Sequence, residues 1–215
     1  MPGHVQEGEG VNAFLPLPRS FFEPSASLVA PLLLGRWLIH NAPEGRVGGL
    51  IVETEAYLAD DPASHSYRGE TARNRSMFGS PGHAYLYFIY GKHWCFNAVC
   101  GARGVGEAVL VRAIEPVFGL GSMRLRRRVA ADQQLTNGPG KLCAALGLDR
   151  GFDGVDLCDA SSPVFIAENP DRRKLLAGQG TVMTSHRIGI SKAADLPLRF
   201  HLRGNIHVSR RTPLA

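Results

Sequence analysis

The 215-residue chain is 44% hydrophobic and 20% charged, a balance that excludes a disordered protein and is met by one globular domain with a sizeable core. Its net charge of +5 suits a nucleic-acid partner without requiring one. Cys95, Cys100, Cys143 and Cys158 show no CxxC spacing and sit in apolar segments, no apolar run reaches the length of a membrane span, and "MPGHVQEGEG" lacks the basic start and apolar stretch of a secretion signal. The expectation is an intracellular protein with reduced thiols and no membrane contact, in the cytoplasm or nucleoid of a bacterium or the nucleus of a eukaryote. A flexible tail over residues 1–17 would precede a single domain over residues 18–212.

In chain order, "PSASLVAPLLLGRWLIH" predicts a helix capped by Ser25 or Ser27, with Pro31 near its first turn and Gly35 stopping it before a strand from Arg36 to His40. "GGLIVETEAYL" is strand-like, with Glu53, Glu55 and Tyr57 alternating against Val52, Thr54 and Ala56. Residues 59 to 83 form a polar loop punctuated by Gly and Pro, of a length that is usually functional. Tyr85 to Ile89 and His93 to Cys100 pair as a hairpin, and "EAVLVRAIEP" is a further strand closed by Pro116. Val117 to Ala131 read as a helix with a basic face, and "TNGPGKLCAALG" as a short helix from about Asn137 to Gly147. "TVMTSHRIGI" and "LPLRFHLRG" supply more strands. Strands and helices do not alternate regularly, which predicts an α+β domain: a mostly antiparallel, curved sheet, surrounding helices and a protruding β-hairpin.

The chemistry concentrates in a few places. Residues two apart on a strand lie roughly 6.5–7 Å from each other, so Glu53, Glu55 and Tyr57 share a face. Arg112 interrupts the apolar run "AVLVRAI", and a guanidinium in a central strand needs an anionic partner. A sheet that brings Arg112 near Glu55 gives either a fixed carboxylate at a pocket floor or a structural ion pair. The loop "HSYRGETARNRSMF" is either solvated surface or a wall carrying His65 and enough charge to approach phosphates through Arg73 and Arg75. His65, Tyr57 and Tyr87 could together sandwich a flat heterocycle. Tyr90, at the hairpin tip beside Lys92, is either a wedge for a gap in a base stack or a ring folded onto the sheet. Asn97, amid "CFNAVC", is a satisfied core amide or a reader of ring substituents. "RLRRR" is a solvated helix face or tracks phosphates. "NGPGK" could hold a phosphate with Lys141 but lacks P-loop spacing, which excludes ATP chemistry. No zinc-deaminase, G-x-S-x-G or HExxH motif is present, and no metal or cofactor is expected.

Taken in order, "VETEAYL", "HSYRG", "TARNRSMF", "YLYFIYG", "CFN" and "VLVRAIEP", with the later islands "GPGKLCAALGL", "RIGI" and "PLRFHLRG", resemble the alkyladenine (3-methyladenine) DNA glycosylase family of base-excision repair. The resemblance implies Glu55 as general base, with Arg112 as the pocket arginine near the catalytic water. It also implies Tyr57, His65 and Tyr87 as the stacking pocket, Ala63 and His65 as backbone contacts to the base, and Asn97 beside Leu110 as the discriminator against guanine. Tyr90 becomes the intercalated residue. Glu53 belongs to the motif without a catalytic role and is left as a structural or supporting group. Tyr85 is expected to pack or support.

The implied activity is that of a monofunctional glycosylase acting as a monomer. It would flip 3-methyladenine, 7-methylguanine, hypoxanthine or ethenoadenine out of double-stranded DNA and hydrolyse the N-glycosidic bond, leaving an abasic site. The alternative is a non-catalytic DNA-damage binder, which would keep the aromatic pocket but would not need Glu55.

Overall fold

The computed structural model describes residues 14–179 and 181–209. Residues 1–13 of the expected tail, and positions 210–212 of the expected domain, lie outside the described residues. Residues 14–17 are not tail-like: Phe14 sets its ring edge against Trp37 and Phe118, and buried Leu17 donates its amide to the Ile166 carbonyl at 2.8 Å. Two apolar side chains in an otherwise unremarked stretch are enough to seat it on the sheet.

Helix α1 (Ala26–Leu33) begins after Ser25, but the serine does not cap it. The Ser25 hydroxyl and the Ala26 amide both donate to Oε2 of Glu107, at 2.7 and 2.8 Å, so a carboxylate from a distant strand faces the positive helix end. Pro31 lies inside the helix rather than in its first turn, and the helix ends two residues later. Gly35 follows at φ 78°, the left-handed conformation that turns the chain toward the sheet.

Among the described residues, eight strands form one curled, fully antiparallel sheet: β1 (Trp37–Ala42), β2 (Gly45–Tyr57), β3 (Ala84–Ile89), β4 (His93–Cys100), β5 (Glu107–Phe118), β6 (Val164–Ala167), β7 (Val182–Ser185) and β8 (Arg199–Leu202). The order is β3-β4-β5-β2-β1-β6, with β8 pairing the later part of β2 and β7 pairing β8. The helices are α1, α2 (Leu120–Arg127), α3 (Pro139–Leu146) and α4 (Arg172–Gln179), and none in the described residues is long and apolar enough to cross a membrane. The α+β expectation therefore holds. Helix α2 is shorter than the basic 117–131 segment predicted, and β6 and α4 had no counterpart in the sequence reading.

The thirteen-residue β2 is the spine, bonded to β5 along one edge and to β1 and then β8 along the other. Its register with β5 shifts at Gly48/Gly49 and again between Ile51 and Thr54. At the first shift the backbones nearly touch: a Cβ on Gly49 would lie 2.0 Å from the Glu115 carbonyl oxygen. Pro116 sits at this interruption, so β5 continues through it to Phe118 instead of closing there. At the second shift Arg112 falls between the paired residues Val111 and Ala113. Bulges of this kind bend a sheet and re-aim a side chain.

Strand alternation divides the residues between two faces. Val109, Val111, Leu86, Phe96 and Ala98 join α1 and α3 in the main core. On the other face β2 presents Glu53, Glu55 and Tyr57, β3 presents Tyr85 and Tyr87, β4 presents Cys95 and Asn97, and β5 presents Leu110 and Arg112. The main core holds the sheet's shape while this second face carries the polar groups.

Replacing Glu107 by alanine strips the α1 terminus of its acceptor and is expected to cost about 1 kcal/mol. Urea unfolding checks this: the midpoint falls while the slope stays as in the wild type. An unchanged midpoint would mean that the carboxylate does not cap the helix.

Candidate active site

The polar face opens into a cavity of about 630 Å³. Tyr57, Ala63, His65, Tyr87, Asn97, Leu110 and Arg112 all line it, as do Tyr90 and Lys141. The structure thus brings together residues from four strands, two loops and the start of α3. Glu55 lies directly beneath the lining and is fully buried. Its partners form the floor: Oε1 accepts the Ile188 amide at 2.7 Å, and Oε2 accepts the Tyr57 hydroxyl at 3.0 Å and Arg112 Nη1 at 3.1 Å. Every partner is a donor, so the carboxylate is presented as an acceptor.

Arg112 stands between the two acids. Arg112 bonds both acids, with Nε on Glu53 Oε1 at 3.0 Å and Nη1 on Glu55. Glu53 is fully buried and does not line the cavity. It also accepts Arg199 Nε at 2.7 Å, the Ser209 hydroxyl at 2.8 Å and the Ser209 amide at 2.6 Å. Burial opposes the Arg112 charge, but the neighbouring Glu55 and Glu53 carboxylates outweigh it and push the guanidinium pKa above its usual value. Glu53 is the hub that fixes Arg112 and ties β8 and the chain near Ser209 to the floor. In the sequence Glu53 carries no chemistry of its own, and its partner Arg199 has no local signal.

The aromatic wall is hydrogen-bonded as well as packed. His65 Nδ1 and the Tyr85 hydroxyl share a bond of 2.8 Å, and His65 stands edge-on to Tyr87 with ring centroids 4.4 Å apart. Tyr85, buried and opposite Asn97 in the hairpin, supports the wall as expected, and its carbonyl accepts Asn97 Nδ2 at 2.9 Å. Burial raises the pKa of the Tyr57, Tyr85 and Tyr87 phenols. Burial, then the charge of Arg73, lowers that of His65, leaving a neutral imidazole at neutral pH. The Ala63 amide is taken by Asp61 Oδ1 at 2.9 Å, whereas the His65 amide has no partner among the described residues. The long loop is held in shape by buried Asn74, whose Nδ2 donates to the His65 and Gly69 carbonyls at 2.8 and 3.1 Å.

At the hairpin tip Tyr90 is 75% exposed, with φ at 53°, so it is not folded onto the sheet. A side chain in the left-handed region costs roughly 1–2 kcal/mol, which the tight turn through Gly91 imposes. Lys92 is exposed beside it. The other basic candidates have partners already: Arg73 Nη2 donates to the Phe88 carbonyl at 3.0 Å and braces the hairpin, Arg75 lies 3.4 Å from Glu70, and Lys141 Nζ donates to Asn137 at 2.8 Å. In the arginine run, Arg124 pairs with Asp132 and Arg126 with Glu44, while Arg127 reaches the cavity rim.

A second buried pair escaped the sequence reading. Arg187 and Asp61 form a two-point ion pair, with Arg187 Nη2 on Asp61 Oδ1 at 3.0 Å, and the guanidinium lies 4.7 Å from the Tyr57 ring centre. The only sequence signal is position: Asp61 lies two residues before Ala63, and Arg187 opens "RIGI".

Comparison with known proteins gives a consistent picture. The family model described as methylpurine-DNA glycosylase matches residues 20–206. A protein of Methanoculleus marisnigri is 52% identical over 195 residues, covering 91% of this chain and 99% of its own. Proteins of Rhodopseudomonas palustris and Agrobacterium fabrum are 48% and 45% identical, each over at least 90% of both chains. All three bear the provisional name 3-methyladenine DNA glycosylase.

Burial also lowers the pKa of His40, His201 and His207 from the usual 6.5, as it does for His65. These histidines bind protons less readily folded than unfolded. The unfolded chain therefore gains protons first as pH drops below 6.5, and stability is lost in that range. The urea midpoint is expected to decline between about pH 7 and about pH 5.5, above the range in which ordinary carboxylates titrate. A flat profile there would contradict neutral burial of these rings.

Proposed function

The chain belongs to the methylpurine-DNA glycosylase family and is a DNA glycosylase, and on that premise we propose that it excises alkylated purines from duplex DNA as a monomeric, monofunctional enzyme. The observation that carries this reading is the placement of Glu55. It lies beneath a cavity lined by the rings of Tyr57, His65 and Tyr87 among others, and it is held by donors from Tyr57, Arg112 and Ile188, all of which line that cavity.

The damaged nucleotide leaves the stack and its base enters the cavity, whose volume lies within the few hundred to 1,000 Å³ typical of small-ligand sites. Tyr57, His65 and Tyr87 contact the ring faces, and the His65 amide offers a donor to the ring edge. Asn97 and Leu110 limit what that edge can carry. Tyr90, exposed at the hairpin tip, fills the gap in the duplex, where stacking is worth about 1–3 kcal/mol. Glu55 accepts a proton from a water that attacks C1′, the C1′–N bond breaks, and its electron pair leaves with the base. Arg112 orients that water. The products are an abasic site and a free base.

The protonation states favour leaving groups that are already cationic. The buried phenols hold their protons and His65 is neutral, so none of the three stacking rings is a ready acid at neutral pH. A 3-alkyl or 7-alkyl purine departs as a neutral base and needs none. Hypoxanthine and ethenoadenine need a proton and are excised more slowly.

Methylated duplex DNA, assayed for released 3-methyladenine and for strand breaks before and after hot alkali, tests the reading. Wild type releases the base and breaks appear only after alkali. Glu55→Gln loses activity by about 10²–10⁴-fold, the usual contribution of general-base catalysis. Tyr90→Ala weakens binding to lesion-bearing duplex by about 10–100-fold, the equivalent of the lost stacking, and leaves single-strand binding unchanged. Release by Glu55→Gln at the wild-type rate would remove Glu55 from its role, and tight lesion binding without release by wild type would make the protein a damage binder.

A further inference from the structure

We propose that Arg187, clamped by Asp61, is a positioning residue that aims the Glu55 carboxylate. This rests on Glu55 being the group that activates water.

The clamp joins two loops far apart in sequence, each forming part of the site wall. Asp61 Oδ1 accepts Arg187 Nη2 at 3.0 Å and Oδ2 pairs with Nη1, and both side chains are almost completely buried. Arg187 Nη1 also donates to the Ala56 carbonyl at 3.0 Å, and Nη2 to that of Ala193 at 3.3 Å. The guanidinium therefore has a single orientation. Two of the groups that hold Glu55 depend on it. Tyr57, whose ring lies 4.7 Å below the guanidinium carbon, donates its hydroxyl to Glu55 Oε2. Ile188, the next residue in the chain, donates its amide to Oε1 at 2.7 Å. Between them they bond both carboxylate oxygens. On the other side of the clamp, Asp61 Oδ1 also takes the Ala63 amide, two residues before His65.

A buried ion pair is a poor stabiliser, because desolvation offsets most of its attraction, and apolar residues of similar size usually serve a fold as well. What the pair supplies here is direction. Without it the Tyr57 ring and the Ile188 amide lose their common anchor, and Glu55 keeps only Arg112. Arg187 does not touch the cavity, so lesion binding does not depend on it directly.

Removing one charge alone would strand the other, so the test replaces both: Asp61→Asn with Arg187→Met, and separately Arg187→Lys, which keeps the charge but loses the two-point fork. Saturating single-turnover release of 3-methyladenine, lesion-duplex affinity and melting temperature are measured for each, with Glu55→Gln in parallel. The paired variant is expected to melt near wild type and to bind the lesion within about threefold, while its release rate falls by about 10²-fold, the cost of a misplaced catalytic group. Arg187→Lys is expected between the two, and it carries the test if the paired variant does not fold. A release rate within about twofold of wild type in either folded variant overturns the proposal, as does a rate loss matched by an equal loss of affinity. Wild-type release by Glu55→Gln would instead refute the assignment of Glu55 and leave the clamp without a catalytic group to aim.

Discussion

One guanidinium shared between two buried carboxylates sets the geometry of everything around it. Arg112 bonds Glu53 and Glu55 at 3.0 and 3.1 Å, on a strand whose local bulge leaves it unpaired in the ladder. A buried charge persists only where it is paired and its remaining polar atoms are satisfied. Glu53 meets that condition with Arg199 and Ser209, and Glu55 meets it with Tyr57 and Ile188. The acids look alike in sequence and differ by what surrounds them. One is enclosed by structure, and the other lies beneath the cavity floor.

The same strand alternation that builds the core builds the site. Residues of β3, β4 and β5 that point one way pack under α1 and α3, and their neighbours point into the cavity. Where β3, β4 and β5 border the cavity, core and cavity residues thus alternate along the chain, whereas Val99 and Ala108 join a second apolar cluster with Met77 and Tyr85. The cavity wall is built mainly of strands, joined by α2, α3 and loop residues that reach as deep as Ile188, whose amide bonds Glu55. The loops are then stiffened by polar anchors, Asn74 for the long loop and the Asp61–Arg187 pair between that loop and the one bearing Ile188.

Much of this was legible in the sequence because it is local. Glu53, Glu55 and Tyr57 announce one strand face by their spacing, as Tyr85 and Tyr87 do in "YLYFIY", while Tyr90 falls at the turn before Gly91. The sheet, the hairpin and most strands follow from alternation and turn residues. The missed features have in common that no period carries them. Arg199 and Glu53 meet across 146 residues, and Arg187 and Asp61 across 126. The cap of α1 comes from Glu107, not from the serines beside it. Pro116 stops a strand by rule but sits here in a bulge, and α4 is too polar to stand out. Basic residues are the least legible, since Arg73 reads as a phosphate contact and is found bracing the hairpin.

The central question is whether the enclosed acid governs the one proposed to activate water. The direct measurement is the saturating single-turnover release rate of 3-methyladenine by Glu53→Gln. If Glu53 holds Arg112 in place, the rate falls by about 10²-fold while the variant still binds lesion-bearing duplex as wild type does. A folded Glu53→Gln that releases the base at the wild-type rate would show that Arg112 and Glu55 keep their geometry without it, and the shared guanidinium would lose its central place.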